Sequence, residues 1–414
     1  MDTVKSATAG SPSLLRRVNS AAVLRVVRQG KAVSRAEIAR LTGLSVPTVN
    51  GVVEDLLLAG YLQEDIAQHG DRARRRGPRP RLVHFRANVG HVLGLDIGAN
   101  KVLAIVSDLD GEATGSDRRT VAAAADANEV LEVAAAAVRA ALRRAKVSAN
   151  ELLSAAVGTP GVVELPMGRV TLAPQLPGWE GLPLADRVAQ WLGRPVLAVN
   201  EVHLSLLAER WRGAIQGVDD ALYVQVGIGI GAGILMGKQL YRGSTGAAGE
   251  IGYLPLINCA ALLPQGVGQF EYSAGGRAFA RLGSRAAAGP HGSVLRELAG
   301  GDPASVDAAM VFSAASRGDP TAGRILNKIV GRLARGIAAA VALLNPAVVV
   351  VGGGLSQAGD MLLAPLEDKV RGLVPMPPRF VLSALGDEAV ALGAVRAALD
   401  TVDDDLLALA REAL

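Results

Sequence analysis

"QVGIGIGAGI", residues 225–234, sets Gly227, Gly229, Gly231 and Gly233 at alternate positions among short apolar residues. A period of two reads as a strand, and glycine inside a strand marks a close backbone approach or a tight bend. Phosphate is a common cause of such an approach, because successive backbone N–H groups can cradle an anion. Extended outward, "ALYVQVGIGIGAGILMGKQLYRG" (221–243) runs strand, glycine turn, strand, turn, strand. "HVLGLDIGANKVLAIVSDLDG" (91–111) follows the same scheme, turning at Asp96–Asn100. Each stretch is followed by a helical pattern, Asn128–Lys146 and Pro320–Leu344, and by a buried strand, "LLSAAVGTP" (152–160) and "PAVVVVGGGLS" (346–356). The pattern predicts a duplicated α/β body whose two lobes each carry a phosphate loop on a hairpin. Its ligand is expected in the cleft between the lobes.

Composition bounds the class. The chain has 414 residues, 50% apolar, 20% charged and only 3% aromatic, so two or three domains with Ala/Val/Leu cores are expected. No run of eighteen apolar residues occurs, and the N-terminal segment has no signal-like apolar stretch, so a cytoplasmic protein without a membrane partner is expected. The single cysteine, Cys259, excludes a disulfide framework and a multi-cysteine metal site within the chain. Charge is unevenly divided. Residues 1–90 hold 15 Lys and Arg against 7 Asp and Glu, a net of +8, while the remainder holds 28 against 32, a net of −4. A basic module on a mildly acidic body fits a nucleic-acid-facing unit; a solvated basic face would give the same count.

The pattern of the basic module decides between them. Apolar residues Leu14, Val18, Ala22, Leu24 and Val27 suit one amphipathic helix. "SRAEIARLTGLS" (34–45) gives Ser34 as N-cap with Glu37 three residues on, a capping box, and a stop at Gly43. Ser45 caps the next helix, with Pro47 in its first turn and Val49, Val52, Val53, Leu56 and Leu57 inward. Pro47, Thr48, Asn50 and Gly51 are left outward. Two helices joined by a glycine turn form a helix-turn-helix. "GYLQEDIA" and "RLVHFRANV" then read as paired strands around the polar tip "QHGDRARRRGPRP" (68–80), a wing. The predicted DNA-facing set is Ser34, Ser45, Pro47, Thr48 and Asn50, with wing arginines Arg72, Arg74, Arg75, Arg76 and Arg79 placed for phosphates or the minor groove.

The body resembles the sugar kinase, actin and Hsp70 superfamily. Within it the chain is similar to transcription regulators of the ROK family (repressor, open reading frame, kinase), such as the xylose and N-acetylglucosamine repressors. The resemblance rests on "GLSVPTVNGVVEDLLLAGYL", "GLDIGANK", "VGTPGVVE", "LPGWEGLPL", "VNEVHLSLLAER", "GIGIGAGILMGKQLYRGSTGAAGEIGY", "NPAVVVVGGGLS" and "LGDEAVALGAVRAAL", of which "GAAGEIG" is very specific. It implies an N-terminal winged helix-turn-helix (1–88), a first lobe (89–212) and a second lobe (213–414), with the C-terminal helix placed to pack back on the first lobe. It also places sugar contacts on Asn200, Glu201, Glu250, Tyr253 and Glu271. "GTPG" (158–161) is expected to shape a turn beside the ligand, and His203 to be a packed histidine.

The departures bear on the chemistry. Kinases of this family resemble Asp-x-Gly-Gly-Thr-Lys in the first phosphate loop; this chain has Asp96, Ile97, Gly98, Ala99, Asn100 and Lys101. Their catalytic stretch resembles Glu-Asn-Asp-Ala-Asn, whose Asp takes the proton from the sugar hydroxyl; "VNEVH" here offers Asn200 and Glu201. One extra methylene moves a carboxylate by about an ångström, a displacement that can cost about a hundredfold in rate. Asp96, Gly98, Gly227, Gly229 and Gly231 therefore read as vestigial phosphate loops, with no catalytic residue and no cofactor. The family's structural zinc uses His and three Cys; Tyr253 stands at the His, Gln269 at one Cys, and only Cys259 is near, so no metal is expected.

The favoured expectation is a homodimeric DNA-binding regulator, read as a repressor, on a pseudo-palindromic double-stranded operator. A sugar or phosphosugar between the lobes would act as its effector. The enzyme alternative is a sugar kinase carrying a DNA-binding domain. A third reading is an architectural DNA-binding protein with an inert body.

Overall fold

The computed structural model describes residues 12–30, 32–66, 81–122, 125–174, 176–256, 263–264 and 266–409. The N-terminal unit comprises α1 (Pro12–Gly30), β1 (Val33–Ser34), α2 (Arg35–Thr42), α3 (Val46–Leu58), β2 (Leu62–Ile66) and β3 (Arg81–Phe85). Its small sheet has the order β1-β3-β2, all antiparallel. The three helices close over Val23, Val27, Ile38, Val49, Val52, Val53, Leu62 and Val83. The buried face of α1 is Ser20, Val23, Leu24 and Val27; Val18 is exposed and Ala22 half-buried. Steps of four from Leu14 drift around a helix with 3.6 residues per turn, so only a stripe alternating threes and fours stays on the core.

The body follows with β4 (His91–Ile97), β5 (Lys101–Asp108), β6 (Ala113–Thr120), α4 (Ala127–Ala145), β7 (Leu152–Thr159), the hairpin β8 (Val162–Glu164) and β9 (Arg169–Leu172), α5 (Leu184–Leu192), β10 (Leu197–Asn200) and α6 (Glu201–Trp211). The second half is β11 (Ala221–Val226), β12 (Ile230–Met236), β13 (Gln239–Tyr241), α7 (Gln269–Ala274), α8 (Gly276–Ala288), α9 (Ser293–Leu298), α10 (Ala308–Ser316), α11 (Pro320–Leu344), β14 (Val348–Gly352), α12 (Asp360–Arg371), β15 (Arg379–Leu382) and α13 (Ala389–Leu409). The two five-stranded sheets have orders β10-β7-β4-β5-β6 and β13-β12-β11-β14-β15. They are the same sheet twice. A central strand (β4, β11) starts an antiparallel meander (β5–β6, β12–β13) on one side and meets two parallel strands (β7–β10, β14–β15) on the other.

Strand alternation sorts the side chains into layers. Leu93, Leu95 and Ile97 face α4 and α5, whereas Val92, Leu103 and Ile105 face α6 and α13. In the second sheet Leu222, Val224 and Val226 face Phe270, Phe279, Ile329 and Ile337, and Ala221 and Tyr223 face Val202 and Leu206 of α6. Helix α6 thus lies between the sheets, with α13 beside it on the first sheet, giving alternating helical and sheet layers. The two helices approach closely at Gly393, where a Cβ would meet the Leu204 carbonyl at 1.9 Å. No described helix is long and apolar enough to cross a membrane.

The glycine alternation of 227–233 has two causes. Gly227 and Gly229 lie in the β11–β12 turn, closed by Gly227 N–H to Gly229 O at 2.9 Å. Gly231 and Gly233 lie within β12, where a Cβ would stand 3.1 Å from Val202 and Leu206 of α6. Only half of the run is a loop; the other half lets a helix approach the sheet.

Candidate functional site

One cleft of about 320 Å³ opens where the two central hairpins meet the start of α6. It is lined by Asp96, Gly98, Ala99, Asn100 and Lys101 of the first hairpin and by Gln225, Gly227, Ile228, Gly229 and Gly231 of the second. Asn200, Glu201, Glu250, Tyr253 and Glu271 line the same space, so the structure brings the sequence-predicted ligand set together. Pro160 and Gly161 form one wall after β7, where Trp179 Nε1 donates to Thr159 Oγ1 at 2.7 Å.

Several of these side chains are already engaged. Asn200 caps α6: its Oδ1 accepts from Val202 N–H at 2.8 Å and His203 N–H at 3.2 Å, and its Nδ2 donates to Gly161 O at 2.7 Å. Asn200 therefore shapes the cleft more than it offers free groups to it. Glu201 accepts from Gln225 Nε2 at 2.6 Å, a bond between the two halves of the body. Sequence reasoning missed Gln225, although it opens the quoted stretch as the only polar side chain of an otherwise apolar strand. Glu271 Oε2 accepts from Ile230 N–H at 3.2 Å, and Tyr253 Oη donates to Gly266 O at 2.5 Å. His203 is packed, its Nε2 3.1 Å from Ala248 O.

Burial dominates the electrostatics. It pushes the Asp96 carboxyl up to about 6, against the pull of Lys101 3.4 Å away. Glu201 rises to about 8, first through burial and then through the nearby Asp96 charge. Glu250 rises to about 7 through burial and Glu271, and burial also raises Glu271. Each of these carboxyls is easier to protonate than its free counterpart.

The second candidate region is the helix-turn-helix. Ser34 Oγ accepts from Glu37 N–H at 3.2 Å, but the Glu37 carboxylate pairs with Arg40 instead of returning to Ser34. The expected capping box is thus half formed, because a neighbouring guanidinium outcompetes one backbone N–H. Gly43 takes φ 71° at the turn. Ser45 Oγ accepts from Thr48 N–H at 3.3 Å and lies 2.8 Å from Thr48 Oγ1. Ser34, Ser45 and Thr48 therefore fix the helix ends, while Pro47 is exposed and Asn50 half-exposed at the start of α3. Arg35 and Arg81 both pair with Glu64, tying α2 to the base of the wing. Arg72, Arg74, Arg75, Arg76, Arg79 and Cys259 lie outside the described residues.

Arg28 helps to fasten this unit to the body, beside Phe85, which packs against the cores of both. Arg28 of α1 donates to the Leu109 carbonyl, pairs with Asp403 of α13 and lies 5.0 Å over the Phe85 ring. At its other end α13 begins beside the ligand cleft, which Val390 lines.

The ROK family model matches residues 92–401. The chain belongs to the ROK family. A relative named putative xylose repressor, from Caldicellulosiruptor sp. (strain Rt8B.4), is 31% identical over 392 residues, 93% of this chain and 96% of that protein. The crystal structure of a ROK family transcriptional regulator, a homolog of the E. coli MLC protein, aligns with a TM-score of 0.77 at 22% identity, covering 96% of this chain and 99% of that one. A ROK family glucokinase from Streptomyces griseus, in complex with glucose and AMPPNP, aligns with a TM-score of 0.66 at 29% identity, covering 75% of this chain and all of that one (100%). The ROK family thus includes proteins named as regulators and proteins named as kinases.

Four departures from the family's patterns have a place in the fold. Ala99 and Asn100 face the cleft from the first hairpin turn, where the kinase pattern has glycine and threonine. Tyr253, at the position of the zinc-binding histidine, spends its hydroxyl on Gly266, and Gln269 opens α7. Among the described residues no three His, Cys, Asp or Glu side chains are arranged to hold a metal ion.

Proposed function

We propose that this chain is a sequence-specific DNA-binding transcription regulator, acting as a repressor, whose operator affinity responds to a sugar or sugar derivative bound in the interlobe cleft. The observation that carries the reading is the path through α13. Its first turn lines the cleft at Val390, and Asp403 holds Arg28 of the helix-turn-helix unit. Thirteen residues of helix span about 20 Å between those points. A shift of the lobes around a ligand therefore reaches the DNA-binding unit through a rigid element, a recognised kind of switch. The near-complete overlap with the relative named putative xylose repressor supports the same reading.

In this function Pro47 and Asn50 meet base edges, Ser34, Ser45 and Thr48 hold the helices that present them, and the arginines of residues 72–79 meet phosphates. Asn200, Glu201, Glu250, Tyr253 and Glu271 bind the effector. In this reading two copies bind a pseudo-palindrome, the arrangement that dimeric helix-turn-helix regulators use.

The test couples two measurements on the full chain. Footprinting on genomic fragments identifies the operator, and its affinity is then measured with and without each of a panel of sugars. One sugar is expected to change operator affinity by about 1–3 kcal/mol, and operator to change that sugar's affinity by the same factor. Arg28→Ala is expected to remove most of this coupling while both ligands still bind. Absence of any protected site at moderate salt overturns the DNA-binding reading. Sugar affinity that is equal with and without operator overturns the sensor.

A further inference from the structure

The charge of the cleft narrows its ligand class, an inference that rests on reading this site as a sugar site. Among the described residues five acidic residues line it, Asp96, Glu201, Glu250, Glu271 and Asp387, against one basic residue, Lys101. That ammonium is already engaged, 3.4 Å from Asp96 Oδ2 and donating to the Asp387 carbonyl. From outside the lining, Arg118 pairs with the Asp387 carboxylate at 3.4 Å and bears on Asp96, and Arg277 bears on Glu271. The other four carboxyls are under-supplied with donors. Glu201 has Gln225, Glu271 has the Ile230 N–H, and among the described residues no group donates to Glu250. Asp96 Oδ2 is buried and accepts no hydrogen bond, Lys101 standing near it outside hydrogen-bonding geometry.

Among the described lining residues no unengaged cation is left to hold an anion. The helix N-terminus that points into the cleft is closed, because Asn200 takes the Val202 and His203 N–H groups. A bare metal ion is also disfavoured, since no three of the described carboxylates are arranged to hold one. What fits spaced acceptors of one sign is a larger cation whose hydrogens point in several directions. An ammonium offers three donors, and a desolvated carboxylate next to it gains both a hydrogen bond and relief from its acidic neighbours.

We propose that the effector is an aminosugar with a free, protonated amino group, and that phosphosugars and sugar acids are refused.

Calorimetry on the full chain at pH 6.5 tests this with matched sets: glucosamine, glucose and glucose 6-phosphate, and the galacto and manno equivalents. In whichever set binds, the amine is expected to bind about tenfold or more tightly than its hydroxyl parent, since a hydrogen bond to a charged group contributes at least that much. The 6-phosphate is expected to bind most weakly. Binding of the amine is expected to release protons, read from its heat in buffers of different ionisation enthalpy, because it favours the ionised carboxyls. Glu250→Gln is expected to shrink the amine's advantage more than it changes the parent's affinity. A hydroxyl parent or phosphate that equals or exceeds the amine overturns the inference and leaves the sugar reading standing. No binding in any set or of any pentose, with operator binding intact, overturns both.

Discussion

The two hairpins that face each other across the cleft hold the same place in two copies of one sheet, yet they carry different chemistry. Asp96 and Gln225 are each the last residue but one of a central strand, paired across the hairpin with Leu103 and Gly231. In the first hairpin that position is a buried acid followed by Gly98, Ala99, Asn100 and Lys101. In the second it is an amide that reaches Glu201, followed by Gly227, Ile228 and Gly229. Charge resides on one hairpin and open backbone on the other. The course of the chain is set by strand alternation and helix packing, which both copies share. Side chains that project into the cleft escape that constraint and have diverged.

The harshest way to break this contrast is to look for phosphotransfer, which needs both hairpins to act on one phosphate chain. Ala99 puts a methyl where the kinase pattern has glycine, and Glu201, in place of the proton-accepting aspartate, is held by Gln225. A coupled ADP-release assay over hexoses, hexosamines and pentoses is expected to find no sugar-dependent turnover. Rates in the ordinary enzyme range, about 1–1,000 per second, would make the first hairpin a working phosphate loop and favour the kinase reading.

Glycine substitution sharpens the contrast at a smaller scale. Gly94 in β4 is a packing glycine: a Cβ there would meet the Ala391 carbonyl at 2.4 Å and the Val395 nitrogen at 2.6 Å. Gly227 in the second turn is a loop glycine whose Cβ would meet nothing closer than 3.8 Å. Gly94→Val is expected to cost about 3 kcal/mol or more, because rigid backbone of α13 must move. Gly227→Ala is expected to cost less than about 0.5 kcal/mol, as for a surface change. Denaturant midpoints of the two variants check both; equal losses would mean that the second turn is packed as tightly as the sheet.

This distinction also marks what the sequence could reveal. Strand alternation, the turn at Gly43 and the cap at Ser45 are local, and each appears in the fold where the pattern puts it. The duplication was legible for the same reason. The alternating glycines were legible as special, but not as two kinds, since the closeness of α6 to β12 depends on residues some 30 positions away. Asn200, Glu201, Glu250, Tyr253 and Glu271 came from motif resemblance, and the fold brings them to one cleft. Gln225 stands beside glycines that carry the stronger local signal, although a lone amide in an apolar strand is itself one. The Arg28–Asp403 pair joins residues 375 apart, and no single-sequence pattern encodes it.

The mildest test converts one hairpin toward the other. Asp96→Asn places an amide at the position that Gln225 holds in the second copy. Burial holds the Asp96 carboxyl near 6, above the 3.8 of a free aspartate, with Lys101 and Arg118 pulling it down and Asp387 pushing it up. Between about pH 4 and 6 the native state therefore keeps a proton that the unfolded chain has lost. The unfolded chain binds fewer protons in that window, so stability falls as pH rises through it and stays lowered above. Glu201 and Glu250 add slopes of the same sign at higher pH, toward about 8 and about 7, so the difference between wild type and variant is the quantity to read. Relative to wild type, Asp96→Asn is expected to gain on the order of 2 kcal/mol in going from pH 4 to pH 6.5. The same change removes a charge that raises Glu201, so the Glu201 carboxyl should move back toward the ordinary glutamate range. Urea denaturation across pH 4–7 gives the first number, and NMR titration of the side-chain carboxyl the second. A flat difference across that window would mean that Asp96 is ionised as easily folded as unfolded, with Lys101 fully compensating its burial, and the contrast between the hairpins would then be one of shape alone.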